Sequence, residues 1–159
     1  MAAADTYLQT LLSYYEDEIM GEAYFYGLVR YFDEREKLVL LARVERRAAQ
    51  AVYPLLQKYK LTPRDESVLK SRGEGHIERH RSYKWSEFMS YIVQRYPGYV
   101  DEFKALERMA PEEDLHALKI LTDHETAAID FAKKELAHDP DSLAPLHKYL
   151  GQRNLREVN

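Results

Sequence analysis

The sequence predicts an all-α protein, a four-helix bundle with a long crossover and short extra helices. Apolar residues recur at spacings of three and four along four long segments, which is the period of an amphipathic helix. Only six glycines and six prolines occur in 159 residues, and most lie between those segments. Short connections within each pair of segments are typical of antiparallel neighbouring helices. The length suits one core, so we expect a single domain over residues 1–159.

The first two predicted helices form a hairpin. The first runs from about Asp5 to Arg35, with Asp5 or Thr6 as N-cap. The second covers about Glu36 to Lys60, with a kink or local break at Pro54. The expected inward stripe of the first helix is Leu8, Leu12, Tyr15, Ile19, Glu22, Tyr26 and Val29.

The second half of the chain supplies the other pair of helices. The stretch after Leu61 is the expected crossover, split by Gly73 and Gly75, and a firm helix follows from about Ile77 to Arg95. Pro97-Gly98 is expected to end that helix. The remaining expected elements are a short helix over 99–109, a fourth long helix from about 110 to 138, and a small helix within 142–150.

Composition excludes several functional classes. The net charge is −4 and no face is dominated by lysine and arginine, so we expect no nucleic-acid partner. No run approaches the roughly 18 apolar residues that span a membrane. Cysteine is absent, which agrees with a reducing cytoplasm, the expected location. A homodimer through an exposed aromatic helix face is also expected.

Ionisable residues interrupt the apolar stripes at mid-height. Glu22 and Glu45 occupy the stripes of the first two helices, and His124-Glu125 lies at the midpoint of the fourth. The matching level of the third helix is expected near Lys84 to Glu87, which makes Glu87 a further candidate. Buried acids need a proton, a cationic side chain or a metal ion.

This arrangement resembles the ferritin-like superfamily of di-iron carboxylate bundles, including rubrerythrin-type proteins. In that family the first and third helices each give a Glu, and the second and fourth each give a Glu-x-x-His pair. The resemblance implies a metal site at Glu22, Glu45, Glu87, His124 and Glu125. It implies iron, or Mn or Zn, and an oxidoreductase using dioxygen or peroxide. Two positions depart from the family pattern, since Ala48 replaces a His and Leu121 a Glu.

Other interpretations of the same residues stay open. Glu22 could pair with Arg43, Arg46 or Arg47, which would leave a non-enzymatic bundle with a degenerate site that acts as an interaction or dimerisation module. A weaker alternative is a metal-free pocket for an organic substrate, with Glu22 as general base.

Overall fold

The computed structural model describes residues 2–151, with side chains from residue 4 onward. Within this range the chain forms six α-helices and no β-strand. The helices are α1 (Ala2–Leu28), α2 (Arg35–Lys58), α3 (Glu66–Gly75), α4 (Trp85–Met109), α5 (Leu115–Leu136) and α6 (Ala144–Leu150). Short 3-10 turns follow α1, precede α4 and precede α5.

The long helices pack as two hairpins side by side. Helix α1 packs along α2, α4 packs along α5, and α2 contacts α5 between the hairpins. Helix α3 lies against α1, and α6 lies against α5 and α2. Contact between α1 and α4 is sparse by comparison, so this side of the protein is less tightly closed. The prediction of an all-α protein is confirmed.

Several predicted boundaries were wrong. The first helix ends at Leu28, not Arg35, because a 3-10 turn leads into extended backbone at Phe32. Residues 77–79 form only a 3-10 turn, so the helix predicted from Ile77 begins at Trp85. That helix does not stop at Pro97 but continues to Met109. Its buried face extends beyond the proline to Phe103 and Leu106, and this packing outweighs one lost backbone hydrogen bond.

The apolar core is divided at mid-height. One cluster contains Phe25, Phe88 and Phe131, and another contains Leu11 and Leu118. Helices α1, α2 and α5 each contribute residues to both clusters. On each of these helices, buried ionisable residues lie between the stretch that packs in one cluster and the stretch that packs in the other. The fold therefore brings the polar levels of three helices together inside apolar surroundings.

No helix within residues 2–151 is both long enough and apolar enough to cross a membrane.

Candidate metal centre

One histidine and two glutamates from three helices converge at this level. The Nε2 atom of His124 on α5 lies 2.8 Å from a carboxylate oxygen of Glu18 on α1 and 2.8 Å from one of Glu45 on α2. Glu125 places an oxygen 3.4 Å from the same nitrogen. All four residues are buried. Glu18, Glu45 and His124 each offer one ligand atom within 4.8 Å of the other two, and we call these three residues the central cluster.

Two of the converging atoms lack hydrogen-bond partners. Within the described residues, neither His124 Nε2 nor Glu45 Oε2 meets the geometry of a hydrogen bond, although the two are in close contact. The Nδ1 atom of His124 bonds the Leu121 carbonyl one helical turn earlier. As the donor of that bond, Nδ1 carries a proton, so the neutral ring has its lone pair on Nε2, the atom that faces the carboxylates. A histidine held in this way is typical of metal ligation.

The spacing of the cluster fits a small cation. Two ligand atoms about 2.1 Å from one ion and at right angles to each other are about 3 Å apart. The distances of 2.8 Å from His124 Nε2 to Glu18 and to Glu45 agree with this geometry. Carboxylate oxygen together with imidazole nitrogen suits Fe, Mn or Zn.

The electrostatics also favour a cation. Burial raises the pKa of the Glu18 carboxyl well above its usual value, and the negative charge of Glu45 adds to this effect. Burial likewise raises the pKa of Glu125, to about 8. Burial opposes the charge of His124, but the three surrounding carboxylates outweigh burial and raise its pKa. Without a metal the site therefore retains protons, which a metal ion would displace.

Gly21 makes room for the Glu45 carboxylate. It lies on α1 nearly one turn beyond Glu18, and a Cβ at residue 21 would overlap a carboxylate oxygen of Glu45. A glycine inside a helix costs about 1 kcal/mol relative to alanine. Here the missing side chain lets a carboxylate from α2 lie directly against the backbone of α1.

Glu22 lies apart from the central cluster. Its two carboxylate oxygens accept hydrogen bonds from Nε and an Nη atom of Arg46, at 2.8 and 2.7 Å. Arg46 also pairs with Glu66 at the start of α3. The structure thus gives Glu22 the guanidinium partner that the sequence left open, and Arg46 links α1, α2 and α3.

Glu87 also lies away from the cluster. It is exposed in the first turn of α4, where its carboxylate accepts a hydrogen bond of 2.8 Å from the backbone N–H of Lys84. This contact caps the helix N-terminus. Of the five predicted ligands, the structure brings Glu45, His124 and Glu125 together and places Glu22 and Glu87 elsewhere.

Sequence reasoning missed Glu18. A second stripe, one residue out of phase with the predicted one, carries it. That stripe is Tyr7, Leu11, Tyr14, Glu18, Gly21, Phe25 and Leu28, with strictly alternating spacings of four and three. Tyr26 of the predicted stripe is 45% exposed, whereas Phe25 is 2% exposed. The predicted stripe has the same alternating spacing, so the sequence pattern alone gave no signal that favoured Glu18 over Glu22.

A cavity extends from the cluster. It has a volume of ≈ 280 Å³ and is bordered mainly by α1 and α4. Its acidic end contains Glu18, Glu45 and Glu125, together with Asp17 and Glu102. Five tyrosines border it: Tyr14, Tyr24, Tyr91, Tyr96 and Tyr99. The segment before α4 contributes His76, Arg79 and His80.

His80 is held inside this wall by aromatic contacts. It is buried, its Nδ1 lies 2.5 Å from the Tyr24 hydroxyl, and its ring centroid lies 4.3 Å from that of Tyr91. Burial and the nearby charge of Arg79 lower the pKa of His80, so its ring is neutral at neutral pH. Tyr24 then donates the hydrogen bond.

No family model, no curated protein and no solved structure matches this chain.

Proposed function

We propose that this protein is a metal-binding helical bundle of ferritin-like type, with Glu18, Glu45 and His124 as ligands. The observation that carries the proposal is the contact between His124 Nε2 and Glu45 Oε2, two buried atoms that lack hydrogen-bond partners among the described residues. A divalent cation would displace the proton that His124 otherwise retains and would form a ligand bond to each of the two atoms. Glu125 is the carboxylate nearest to this set.

The order of the helices supports the ferritin-like assignment. Glu18 takes the place of the Glu of the first helix, Glu45 that of the second, and His124 that of the His of the last. Because α4 runs on to Met109, its acid at the level of the cavity is Glu102, not Glu87. Glu102 is exposed and borders the cavity, outside the group formed by Glu18, Glu45 and His124.

We further propose oxidoreductase activity with dioxygen or peroxide. A bound iron or manganese ion would supply the redox chemistry. The protein's own residues hold and shield the site: the Leu121 carbonyl fixes the His124 ring, and Gly21 admits Glu45. Tyr96, which is 8% exposed, and Glu125 both border the cavity.

A second candidate is a non-enzymatic bundle with a degenerate site. Ala48 and Leu121 are fully buried where the family pattern has a His and a Glu, so this chain has fewer potential ligands than a di-iron protein. The pairing of Glu22 with Arg46 shows that one buried acid is already neutralised by a guanidinium. In this alternative, protons would compensate the central cluster. A homodimer and a cytoplasmic location remain predictions under both candidates.

Elemental analysis tests the proposal. After aerobic purification, we expect at least about half an equivalent of metal per chain. Glu18→Gln and His124→Ala should each reduce this to background, since each removes one ligand. Glu87→Gln is the matched control and should retain the metal, because it alters only an exposed helix cap.

The outcome distinguishes the two candidates. A parent protein that is helical, binds no metal after purification and takes up none when titrated with Fe²⁺, Mn²⁺ or Zn²⁺ would contradict metal binding. That result would favour the non-enzymatic bundle.

A further inference from the structure

We propose that the cavity beside the central cluster binds a small organic amine as its ammonium ion, paired with Asp17 and Glu102. The assignment of this amine as a substrate rests on the proposed function. Its binding does not, because Asp17 and Glu102 lie outside the proposed ligand set.

The charges along the cavity favour a cation. Five carboxylates lie at its acidic end, whereas Arg79 is the only lysine or arginine among the residues that line it. A divalent ion held by Glu18, Glu45 and His124 would balance the charge of its two carboxylate ligands. Asp17 and Glu102 lie outside that set, so this end still carries negative charge when metal is bound.

Asp17 and Glu102 are available to a ligand. Both are exposed to solvent and both line the cavity. Across residues 4–151, neither forms an ion pair with a basic side chain. Each raises the pKa of Tyr14 through its negative charge, after the larger effect of burial.

Each acid has a tyrosine beside it on the same helix face. Tyr14 lies three residues before Asp17 on α1, and Tyr99 lies three residues before Glu102 on α4, a spacing that puts the two side chains together. All four residues line the cavity. Aromatic faces attract ammonium ions as well as packing against apolar groups. Helices α1 and α4 thus each contribute one carboxylate and one tyrosine ring to the lining of the cavity.

The second observation that points to a ligand is Glu45. This residue is 9% exposed and lines the same cavity, and its Oε2 atom has no hydrogen-bond partner in the described part of the chain. In the metal-free protein, this end of the cavity therefore has more negative charge than its described contacts compensate. Cations are favoured there, and anions are repelled.

The size of the cavity limits the ligand. A volume of ≈ 280 Å³ corresponds to roughly nine water molecules at about 30 Å³ each. This is below the usual range for drug-sized ligands. An amine with one aromatic ring and a short chain fits, with the ring among the tyrosines and the ammonium group between Asp17 and Glu102.

Calorimetry with matched probes tests the inference. The probes are phenethylamine, the neutral phenethyl alcohol and the anionic hydrocinnamate, each titrated into metal-free and zinc-loaded protein at low salt and near neutral pH. We expect phenethylamine to bind about tenfold more tightly than the alcohol in both forms of the protein. Hydrocinnamate should bind least tightly.

Variants identify the residues responsible. Asp17→Asn and Glu102→Gln should each weaken phenethylamine binding about three- to fivefold and leave the affinity for the alcohol unchanged. Asp101→Asn is the matched control, since Asp101 is exposed beside Glu102 but does not line the cavity. It should leave both affinities unchanged. Circular dichroism checks that every variant folds.

Three results would overturn the inference: equal binding of amine and alcohol, tighter binding of hydrocinnamate, or an amine preference that survives the Asp17→Asn/Glu102→Gln double substitution. Failure of the metal proposal is separable. If zinc does not bind but metal-free protein prefers the amine through Asp17 and Glu102, only the metal proposal fails.

Discussion

Glu18 and Glu22 lie one turn apart on α1, yet their carboxylates have different partners. Glu18 contacts a buried imidazole, and Glu22 forms a two-point ion pair with Arg46. The first carboxylate has its charge compensated only by a proton or a metal ion, whereas the second is compensated by the protein itself. Two neighbouring acids of the same type therefore have separable surroundings, one in the candidate metal centre and one in an ion pair between helices.

Glu22→Gln is expected to retain bound metal and to lower the free energy of unfolding by about 1–2 kcal/mol, because it removes a charge-assisted pair of hydrogen bonds. Urea unfolding of the metal-free protein measures the stability, and elemental analysis measures the metal. Glu18→Gln should show the opposite pattern, with metal lost and metal-free stability little changed. Loss of metal in Glu22→Gln would place Glu22 in the site and contradict the assignment.

Gly21→Ala is expected to weaken metal binding about tenfold or more and to change metal-free stability by less than about 1 kcal/mol. The new methyl group displaces the flexible end of Glu45, while alanine favours the helix over glycine. Zinc titration and urea unfolding give the two quantities. Gly75→Ala is the control, because nothing lies within 4 Å of a Cβ there. Unchanged zinc affinity in Gly21→Ala would show that the Glu45 position is not required.

The sequence indicated Glu45, His124 and Glu125 but could not choose between the two stripes of α1. Both stripes are largely apolar, and each contains one glutamate. The choice depends on α3, which packs against Ile19 and so buries a second face of α1. When two faces of a helix are buried, apolar residues occur on both, and the hydrophobic periodicity of the sequence no longer identifies a single face. The contact that buries the second face of α1 comes from α3, which is distant in the sequence.

At the scale of elements, the continuity of α4 through Pro97 determines which acid reaches the site. Proline removes a backbone N–H and is expected to stop or bend a helix. Yet Tyr96 and Phe103, on either side of the proline, are both buried, so the helix is kept straight enough to pack along α5. Had it ended at Pro97, the level of His124 would fall near Glu87, as the sequence predicted.

Pro97→Ala is therefore expected to raise the free energy of unfolding by about 1 kcal/mol, since it restores one helical hydrogen bond at an exposed position. Metal content should not change. Pro54→Ala, at an exposed position inside α2, is the matched comparison. A fall in stability for Pro97→Ala would show that α4 needs the proline to follow α5.

Local signals predicted the helical segments well and their junctions poorly. The stripe of Leu41, Glu45, Ala48 and Val52 alone is enough to orient α2. In contrast, Gly73 and Pro97 both have low helix propensity, yet both lie inside helices. Gly73 lies inside α3 because it packs against the backbone of Met20 on α1, and such a close approach cannot be inferred from neighbouring residues.

At the scale of the whole molecule, Asp114 joins three helices at one end. Its buried carboxylate accepts hydrogen bonds from Tyr7 of α1, from Lys58 at the end of α2 and from Tyr59, at 2.7, 2.7 and 2.6 Å. Asp114 itself immediately precedes α5. Burial opposes its charge, but the hydrogen bonds from Lys58, Tyr59 and Tyr7 outweigh burial and lower the pKa of Asp114.

A carboxyl whose pKa is lower in the folded than in the unfolded protein stabilises the fold above its unfolded value, and this stabilisation is lost as pH falls through the folded value. We expect Asp114→Asn to lower the free energy of unfolding by about 2–3 kcal/mol at neutral pH. The difference from the parent should shrink below about pH 4.

Thermal or urea unfolding across the acid range measures this dependence. Glu78→Gln is the control, because its pair with Arg81 is exposed and should contribute little at any pH. A difference between Asp114→Asn and the parent that stays constant down to the lowest pH would show that Asp114 is not ionised in the folded protein.

The sequence could predict helices and a polar level but not the cavity. The cavity follows from the sparse contact of α1 with α4, and no single helix encodes that separation. Its tyrosines appear in the sequence as ordinary core residues. Only the assembled molecule shows Tyr14, Tyr96 and Tyr99 around one space.

Two kinds of chain segment line the cavity. The central cluster is carried by long helices locked between two apolar clusters, whereas His76, Arg79 and His80 belong to the connection ahead of α4. Exchanging that connection would change the part of the cavity lined by His76, Arg79 and His80 and leave Glu18, Glu45 and His124 in place. The two parts can accordingly be altered independently, and an engineer could graft a new connection onto an unaltered central cluster.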